Sequence, residues 1–295
     1  MATSERQSEP SLVVIVGPTA SGKTALAIKL AQQYDGEIIC ADSRTVYRGM
    51  DIGTAKPSQE EQAVVPHWGL DLVEPGERFT AADFKRYAVD KIAEIRARGH
   101  VPLLVGGAGL YVDGVVYDYE FGGGYSREWR ARLEAMAFDE LYVYCDEHNI
   151  VIPENKRNRR HIIRAIERKN ISAKRRSDPI ENTIVVGIAT NKDELRTRIG
   201  IRAEQMLANG VVDEAIRLGK KYGWSNEAMT GNIYALVRRH LKNELSNDDV
   251  RGRITTYDWK LAKRQMTWFR RNPYIYWGKS EQLYRYVASV LEHKM

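Results

Sequence analysis

The clearest chemical pattern in the chain runs from Gly17 to Thr24, which read G-P-T-A-S-G-K-T and fill the pattern G-x-x-x-x-G-K-[ST]. In such a loop the glycines let the backbone turn tightly around an anion, and the amides point at phosphate oxygens. Lys23 adds a positive charge, and the hydroxyl of Thr24 can ligate a magnesium ion. A strand-like run at 12–16 precedes the loop and a helical pattern at 25–34 follows it, so the sequence predicts a diphosphate or triphosphate site.

The elements that must position this loop alternate between strand and helix. Strand-like runs lie at 12–16, 37–41, 70–73, 101–105 and 183–189, with a short last one at 274–277. Helical patterns separate several of them, and this alternation is typical of a parallel sheet covered on both faces. We therefore predict an α/β fold, a P-loop NTPase-like parallel sheet with helices on both faces.

The pattern changes from residue 118 onwards. Gly122-Gly123-Gly124 breaks the regular structure, 126–136 and 159–169 have helical periodicity, and 170–182 is polar and indicates a loop. We predict a small, mostly helical insertion domain over 118–182, within a core formed by 1–117 and 183–295. Helices are predicted in the second part of that core at 192–209, 211–222 and 254–271.

Positive charge is concentrated in the insertion. The chain carries a net charge of +6, but 156–176 alone contains ten Lys or Arg and one acid, a net +9 that leaves the rest at −3. Such a segment indicates a polyanionic partner such as nucleic acid, or simply a solvated helix face.

Composition narrows the class of protein further. With 295 residues and 43% hydrophobic content the chain can form a large core. Cys40 and Cys145 are expected to be buried, reduced thiols, and the six histidines lack zinc-site spacing. The first ten residues are polar and no run reaches membrane-spanning length, so we expect a cytoplasmic protein with no membrane partner.

Two further segments follow predicted strands, where parallel sheets bind ligands. Asp42-Ser43 follows the strand at 37–41, and Gly106-Gly107-Ala108-Gly109 follows the strand at 101–105. Asp42 could ligate magnesium, act as a general base or cap a helix. The glycine pair also fits a tight strand-to-helix turn without any part in binding.

Four segments together resemble the tRNA dimethylallyltransferases, also called tRNA isopentenyltransferases. They are the loop at 17–24, D-S-R-T-V-Y-R-G-M-D-I-G-T-A-K-P at 42–57, L-V-G-G-A-G-L-Y at 104–111 and A-K-R-Q-M-T-W-F-R at 262–270. They occur in the family's order, and the second is far more specific than a phosphate loop. The resemblance covers nearly the whole chain.

The resemblance implies that the chain transfers a dimethylallyl group from dimethylallyl diphosphate to N6 of adenosine 37 in tRNA. The loop would hold the pyrophosphate with Mg²⁺ on Thr24, and Asp42 would be the general base. The catalytic residues would be Asp42, Lys23, Thr24 and Ala108. The diphosphate would contact Gly17, Thr19, Ala20, Ser21, Gly22, Lys23, Thr24 and Lys192.

The resemblance also implies contact with the anticodon stem-loop by a monomer, with the adenine flipped into the site. The insertion and the C-terminal helices would hold the arm through Asp42, Ser43, Arg44, Thr45, Arg159, Arg160, His161, Arg164, Arg168, Lys263, Arg264 and Gln265. Trp259, Trp268 and Phe269 lie in this region too, but each fits a core position better than a stacking platform.

The chain departs from the family pattern at several positions. Ala108 replaces a threonine whose hydroxyl contacts the bridging oxygen of the diphosphate, and loss of such a donor costs about 2.7–4 kcal/mol where nothing replaces it. His161 stands at a usual arginine, and Asn191-Lys192 replaces an Asp-Arg pair.

Three other functions compete with this one. An adenylate isopentenyltransferase would share the loop and Asp42, but a free nucleotide needs no long basic surface. A tRNA-binding protein with weak catalysis fits the missing threonine. A nucleotide kinase or hydrolase would use Asp42 as its magnesium ligand.

Overall fold

The computed structural model describes residues 9–121, 126–169, 174–230 and 232–293. The predicted glycine break at 122–124, the first four residues of the loop at 170–182 and most of the polar N-terminal segment lie outside these ranges. The chain divides into two compact units, Met1–Tyr117 with Asp178–Met295 and Asp118–Ser177, which we call the sheet unit and the helical unit. Residues 178–182, expected in the insertion, group with the sheet unit, where the Ile180 amide donates to the Val116 carbonyl at 2.8 Å.

Six parallel strands form one sheet in the order β3-β2-β4-β1-β5-β6. They are β1 Leu12–Val16, β2 Gly36–Ala41, β3 His67–Trp68, β4 Val101–Gly106, β5 Thr183–Ile188 and β6 Tyr276–Gly278. The strand predicted at 70–73 is wrong, because Gly69 and Asp71 have φ values of 83° and 52° that interrupt extended backbone. The third strand lies just before them.

The described part of the chain contains twelve α-helices, of which α5, α6 and α7 belong to the helical unit. They are α1 Lys23–Gln33, α2 Gln59–Val64, α3 Ala81–Ala97, α4 Gly109–Val116, α5 Arg127–Ala135, α6 Phe138–Glu147, α7 Arg159–Arg168, α8 Lys192–Ala208, α9 Val211–Tyr222, α10 Asn232–Leu241, α11 Asn247–Phe269 and α12 Ser280–Glu292. Helix α11 begins seven residues before the predicted 254, because Ser246 and Asp249 form a capping box there.

Helices cover both faces of the sheet, as a buried parallel sheet requires. Val13 and Ile15 pack with Leu26 and Leu30 of α1 and with α12, while α3 contacts β2 and β4. The predicted α/β fold with a parallel sheet is thereby confirmed. No helix in the described ranges is long and apolar enough to cross a bilayer.

The helical unit has a core of its own. Ile162, Ile163 and Ile166 of α7 are buried with Leu133 and Leu141, a spacing that places one apolar face of α7 inward. Cys145 is buried in this core and Cys40 in the sheet unit, both as free thiols, as the sequence predicted.

Candidate active site

The phosphate loop connects β1 to α1 at the carboxyl edge of the sheet. Gly22 precedes α1 with φ 91°, in the left-handed region that favours glycine, and Ala20 has φ 60°. Helix α1 begins at Lys23, two residues earlier than the pattern predicted. The amides of its first turn therefore lie beside the loop, where an anion would be stabilised.

Lys23 lies over the loop, and its Nζ donates to the Pro18 carbonyl at 2.7 Å. Burial and, next, the charge of Arg202 lower the pKa of Lys23 to about 8, while Asp42 acts in the opposite direction. An anion in the loop would favour the charged ammonium, since opposite charges raise the pKa of an amine.

Two arginines of α8 also contact the loop, and sequence reasoning missed both. Arg202 Nη1 donates to Thr19 Oγ1 at 2.6 Å, and Arg198 Nη1 donates to the Ser21 carbonyl at 3.2 Å. Their spacing of four residues places them on one face of α8, which follows β5 at the same edge of the sheet. That spacing after a strand was the available signal.

Helix α11 packs closely on the loop and on the segment after β4. Gln265 is buried, and its Oε1 accepts a 2.7 Å hydrogen bond from the Thr19 amide. A Cβ on Gly107 would lie 2.1 Å from Gln265 Nε2, and one on Gly109 would lie 2.3 Å from Trp268 Cδ1. These glycines thus permit close approach of α11 in addition to the turn. Contact of Gln265 with tRNA stays a prediction; the contact in the structure is with the loop.

The three aromatic residues of α11 that were expected in the core differ in burial. Phe269 is buried, as predicted, and Trp259 packs against the cluster of Leu195 and Ile199. The expected core position is wrong for Trp268, which is 38% exposed and whose Nε1 donates to Asp113 Oδ2 at 2.8 Å. Its ring lies over Gly109, at the surface of α4.

The segment after β2 provides the carboxylate of the site. Asp42 is half-buried, and its Oδ1 accepts from the Arg44 amide at 2.8 Å. Thr45 is buried, and its Oγ1 has no hydrogen-bond partner among the described residues. Ala108 is the residue before α4, and its side chain makes no capping hydrogen bond to that helix. Its amide donates to the Ala41 carbonyl at 3.2 Å.

The second half of the 42–57 motif is held by a buried carboxylate that the sequence did not reveal. Glu214 of α9 accepts hydrogen bonds from the amides of Asp51, Ile52 and Gly53 at 2.8–2.9 Å, and from the Tyr234 hydroxyl at 2.8 Å. A Cβ on Gly53 would lie 2.7 Å from Tyr234 Cζ, which explains the glycine. Glu214 therefore fixes the conformation of the 51–53 segment of the motif.

These elements enclose one cavity of about 820 Å³ in the sheet unit. Of the predicted site residues, the lining includes Thr19, Ala20, Ser21, Gly22, Lys23, Thr24, Asp42, Ser43, Arg44, Thr45, Ala108, Arg264 and Gln265. Three others of the sheet unit, Gly17, Lys192 and Lys263, do not line it, and neither do the predicted residues of α7; Lys192 is the exposed first residue of α8. Unpredicted lining residues include Arg198, Arg202 and Asp258.

The basic helix α7 uses part of its charge inside the helical unit. Arg159 Nη2 donates to the carbonyls of Leu133 and Glu134, at 3.2 and 2.9 Å. Arg164 donates to the buried Glu167 and to the Phe121 carbonyl. Arg160 and His161 are exposed, and Arg168 is half-buried.

The cavity offers few protein atoms that could bind a metal ion, which suits a cation that is also bound by phosphate and water. Among the described residues no cluster of three His, Cys, Asp or Glu could hold a metal ion. The Thr24 hydroxyl and the Asp42 carboxylate line the cavity, and both are oxygen ligands of the kind that Mg²⁺ prefers. Mg²⁺ often binds through one or two protein oxygens plus phosphates and water, so these residues fit such an ion.

Comparison with known proteins gives matches over most of the chain. The model of the IPP transferase family matches residues 45–272, and that of the isopentenyl transferase family matches 10–71. The chain is 41% identical to a tRNA dimethylallyltransferase of Roseiflexus sp. (strain RS-1), over 90% of this chain and 91% of that one, and 38% identical to one of Streptococcus mutans, over 88% and 89%. The crystal structure of the full-length tRNA isopentenylpyrophosphate transferase from Bacillus halodurans matches with a TM-score of 0.73 at 33% identity, covering 96% of this chain and 97% of that one.

Proposed function

This chain belongs to the IPP transferase family of tRNA dimethylallyltransferases, and from that premise we propose how it holds and joins its two substrates. The enzyme transfers a dimethylallyl group to tRNA. The donor is dimethylallyl diphosphate, the acceptor is N6 of adenosine 37 beside the anticodon, and pyrophosphate is released. One observation carries the proposal: a cationic phosphate loop and a carboxylate, Asp42, line the same cavity.

The diphosphate lies in the phosphate loop. Helix α1 presents its amides there, and Lys23, Arg198 and Arg202 supply positive charge around the loop. These groups stabilise the leaving pyrophosphate, on which negative charge grows as the bond to carbon breaks. Thr24 would be the protein ligand of a bound Mg²⁺, which would offset part of the charge on the pyrophosphate.

Asp42 serves the acceptor. The N6 lone pair of adenine forms a bond to the allylic carbon, the carbon–oxygen bond breaks, and its electron pair leaves on the pyrophosphate. The proton released from N6 passes to the Asp42 carboxylate, which acts as a general base. Because an adenine stacked between its neighbours cannot enter this cavity, the base is flipped out of the anticodon loop.

The tRNA is held through its phosphates by the basic surfaces of both units. On α11, the exposed Arg264 lines the cavity and Lys263, next to it in the chain, is exposed; on α7 Arg160 and His161 are exposed. Arg159 and Arg164 contribute less, because their guanidinium groups bind carbonyls and Glu167 within their own unit. The enzyme acts as a monomer in the cytoplasm on the anticodon stem-loop.

Radiolabelled dimethylallyl diphosphate tests the proposal directly. Incubation with total tRNA should transfer label to RNA, and digestion should recover it on adenosine 37; AMP should accept none. Label on AMP instead would assign the chain to the adenylate isopentenyltransferases. Binding of tRNA without any transfer would leave a tRNA-binding protein.

A further inference from the structure

Asp258 of α11 is a buried carboxylate to which the reaction above gives no part. It is 9% exposed and lines the cavity, and its Oδ2 has no hydrogen-bond partner among the described residues. A buried polar atom without a partner is destabilising, and a charged one is more so. The position of this group therefore needs an explanation.

The cation that faces Asp258 is Arg202 of α8. Arg202 Nε lies 4.0 Å from Asp258 Oδ2, and in the part of the chain that the structure describes this nitrogen also has no hydrogen-bond partner. Burial raises the pKa of Asp258 and Arg202 opposes that rise, whereas Asp42 adds to it. Arg202 thus favours the carboxylate form, across a gap slightly longer than a hydrogen bond.

The other end of Arg202 reaches the phosphate loop at Thr19. Nη1 of Arg202 donates to Thr19 Oγ1, while the Thr19 amide donates to Gln265 Oε1. Asp258 and Gln265 are seven residues apart, two turns along one face of α11. Helix α11 therefore reaches Thr19 twice, directly through Gln265 and by way of Arg202 through Asp258.

We propose that Asp258 is a positioning residue of the donor site, whose carboxylate holds the Arg202 guanidinium against Thr19 so that the loop keeps the shape that receives a diphosphate. This inference rests on the proposed function of the loop. Asp258 acts through Arg202 and not on the substrate. The sign of its effect separates positioning from simple charge, because a carboxylate near an anion site repels the anion, and its removal would then tighten binding.

Calorimetric titration with inorganic pyrophosphate and Mg²⁺ measures this effect. We expect Asp258→Ala to weaken binding about 10-fold, and Asp258→Asn about 3-fold, since an amide oxygen still faces Arg202 with a partial negative charge but lacks the full charge of the carboxylate. In an Arg202→Ala background, Asp258→Ala should cause no further loss of affinity, because the effects of two substitutions in one interacting pair do not add. The KM for dimethylallyl diphosphate should rise in parallel, while kcat and the KM for tRNA change less than about twofold.

The matched control is Asp248→Ala, which removes an exposed carboxylate from the first turn of the same helix and should bind pyrophosphate as wild type does. Unchanged or tighter binding by Asp258→Ala would overturn the inference, and so would an equal loss in the Arg202→Ala background. If thermal melting shows that Asp258→Ala does not fold, Asp258→Asn becomes the test. Wild-type affinity for pyrophosphate in that variant would overturn the inference. Wild-type enzyme that binds no pyrophosphate would instead refute the donor site itself.

Discussion

Arginine is placed differently in α8 of the sheet unit and in α7 of the helical unit. Arg198 and Arg202 of α8 donate to the phosphate loop and line the cavity. Arg159 and Arg164 of α7 donate to carbonyls and to Glu167 inside their unit, although they belong to the most basic segment of the chain. A count of positive residues therefore overstates the charge that α7 can offer to RNA, and it overlooks two arginines in a segment of ordinary charge.

The largest effect should come from substitution of Lys23 in the phosphate loop. Lys23→Ala should abolish transfer, because an ammonium beside a multiply charged leaving group contributes strongly in a partly desolvated site. Circular dichroism should stay unchanged, since Lys23 makes one side-chain hydrogen bond in the structure, to Pro18. Lys29→Ala, which removes an exposed lysine of the same helix, is the control. Normal turnover by Lys23→Ala would remove the loop from the mechanism.

Substitution of Asp42, whose carboxylate lines the cavity, should have the next largest effect. Asp42→Asn should lower the single-turnover rate by about 10²–10⁴ while the affinity for pyrophosphate with Mg²⁺ changes little. Asp90→Asn, on the exposed side of α3, should behave as wild type. A large loss of pyrophosphate affinity in Asp42→Asn would make Asp42 a metal ligand and not the base.

The phosphate loop should also respond to pH. Because the pKa of Lys23 is lowered to about 8, its positive charge is present below pH 8 and is lost above it. Pyrophosphate affinity should therefore fall by up to about tenfold per pH unit above 8. Lys23→Arg keeps its charge throughout this range and should not show that fall. Identical pH profiles for the two proteins would show that another group controls binding.

On α7, neighbouring arginines should give opposite results. Arg160→Ala should reduce the salt dependence of tRNA binding by about 0.7–0.9 in the log–log slope, as expected for one lost phosphate contact. Arg164→Ala should instead lower the melting temperature, because Glu167 loses an ion-pair partner, and should leave the slope nearly unchanged. Salt titrations and thermal melts of both variants would show whether this assignment is reversed.

The smallest effect concerns Ala108. A threonine there would supply a hydroxyl beside the departing oxygen, so Ala108→Thr should raise the single-turnover rate without much change in tRNA affinity. Ala108→Val, which has a similar shape and no hydroxyl, is the matched control. A threonine variant no faster than the valine variant would mean that another group already fills this role.

Much of this site was predictable, because a phosphate loop is defined by local spacing. The loop, Asp42 and the parallel sheet all follow from patterns within short segments. Glu214 and Asp258 did not, since the amides that Glu214 binds and the arginine that faces Asp258 lie more than 50 residues away in the chain. The prediction of a strand at 70–73 was wrong for a local reason. Its β-branched and aliphatic residues favour a strand, but the backbone at Gly69 and Asp71 does not stay extended.

Glu214 also determines when the 51–53 segment becomes ordered. A surface loop that forms on binding loses conformational entropy at that moment, about 1–2 kcal/mol for each residue fixed. Here the Glu214 carboxylate, 2% exposed, already holds the amides of Asp51, Ile52 and Gly53 within the folded protein. The entropy is therefore lost during folding, and under the proposed function the binding energy of the tRNA remains available for distorting the RNA and extracting its base.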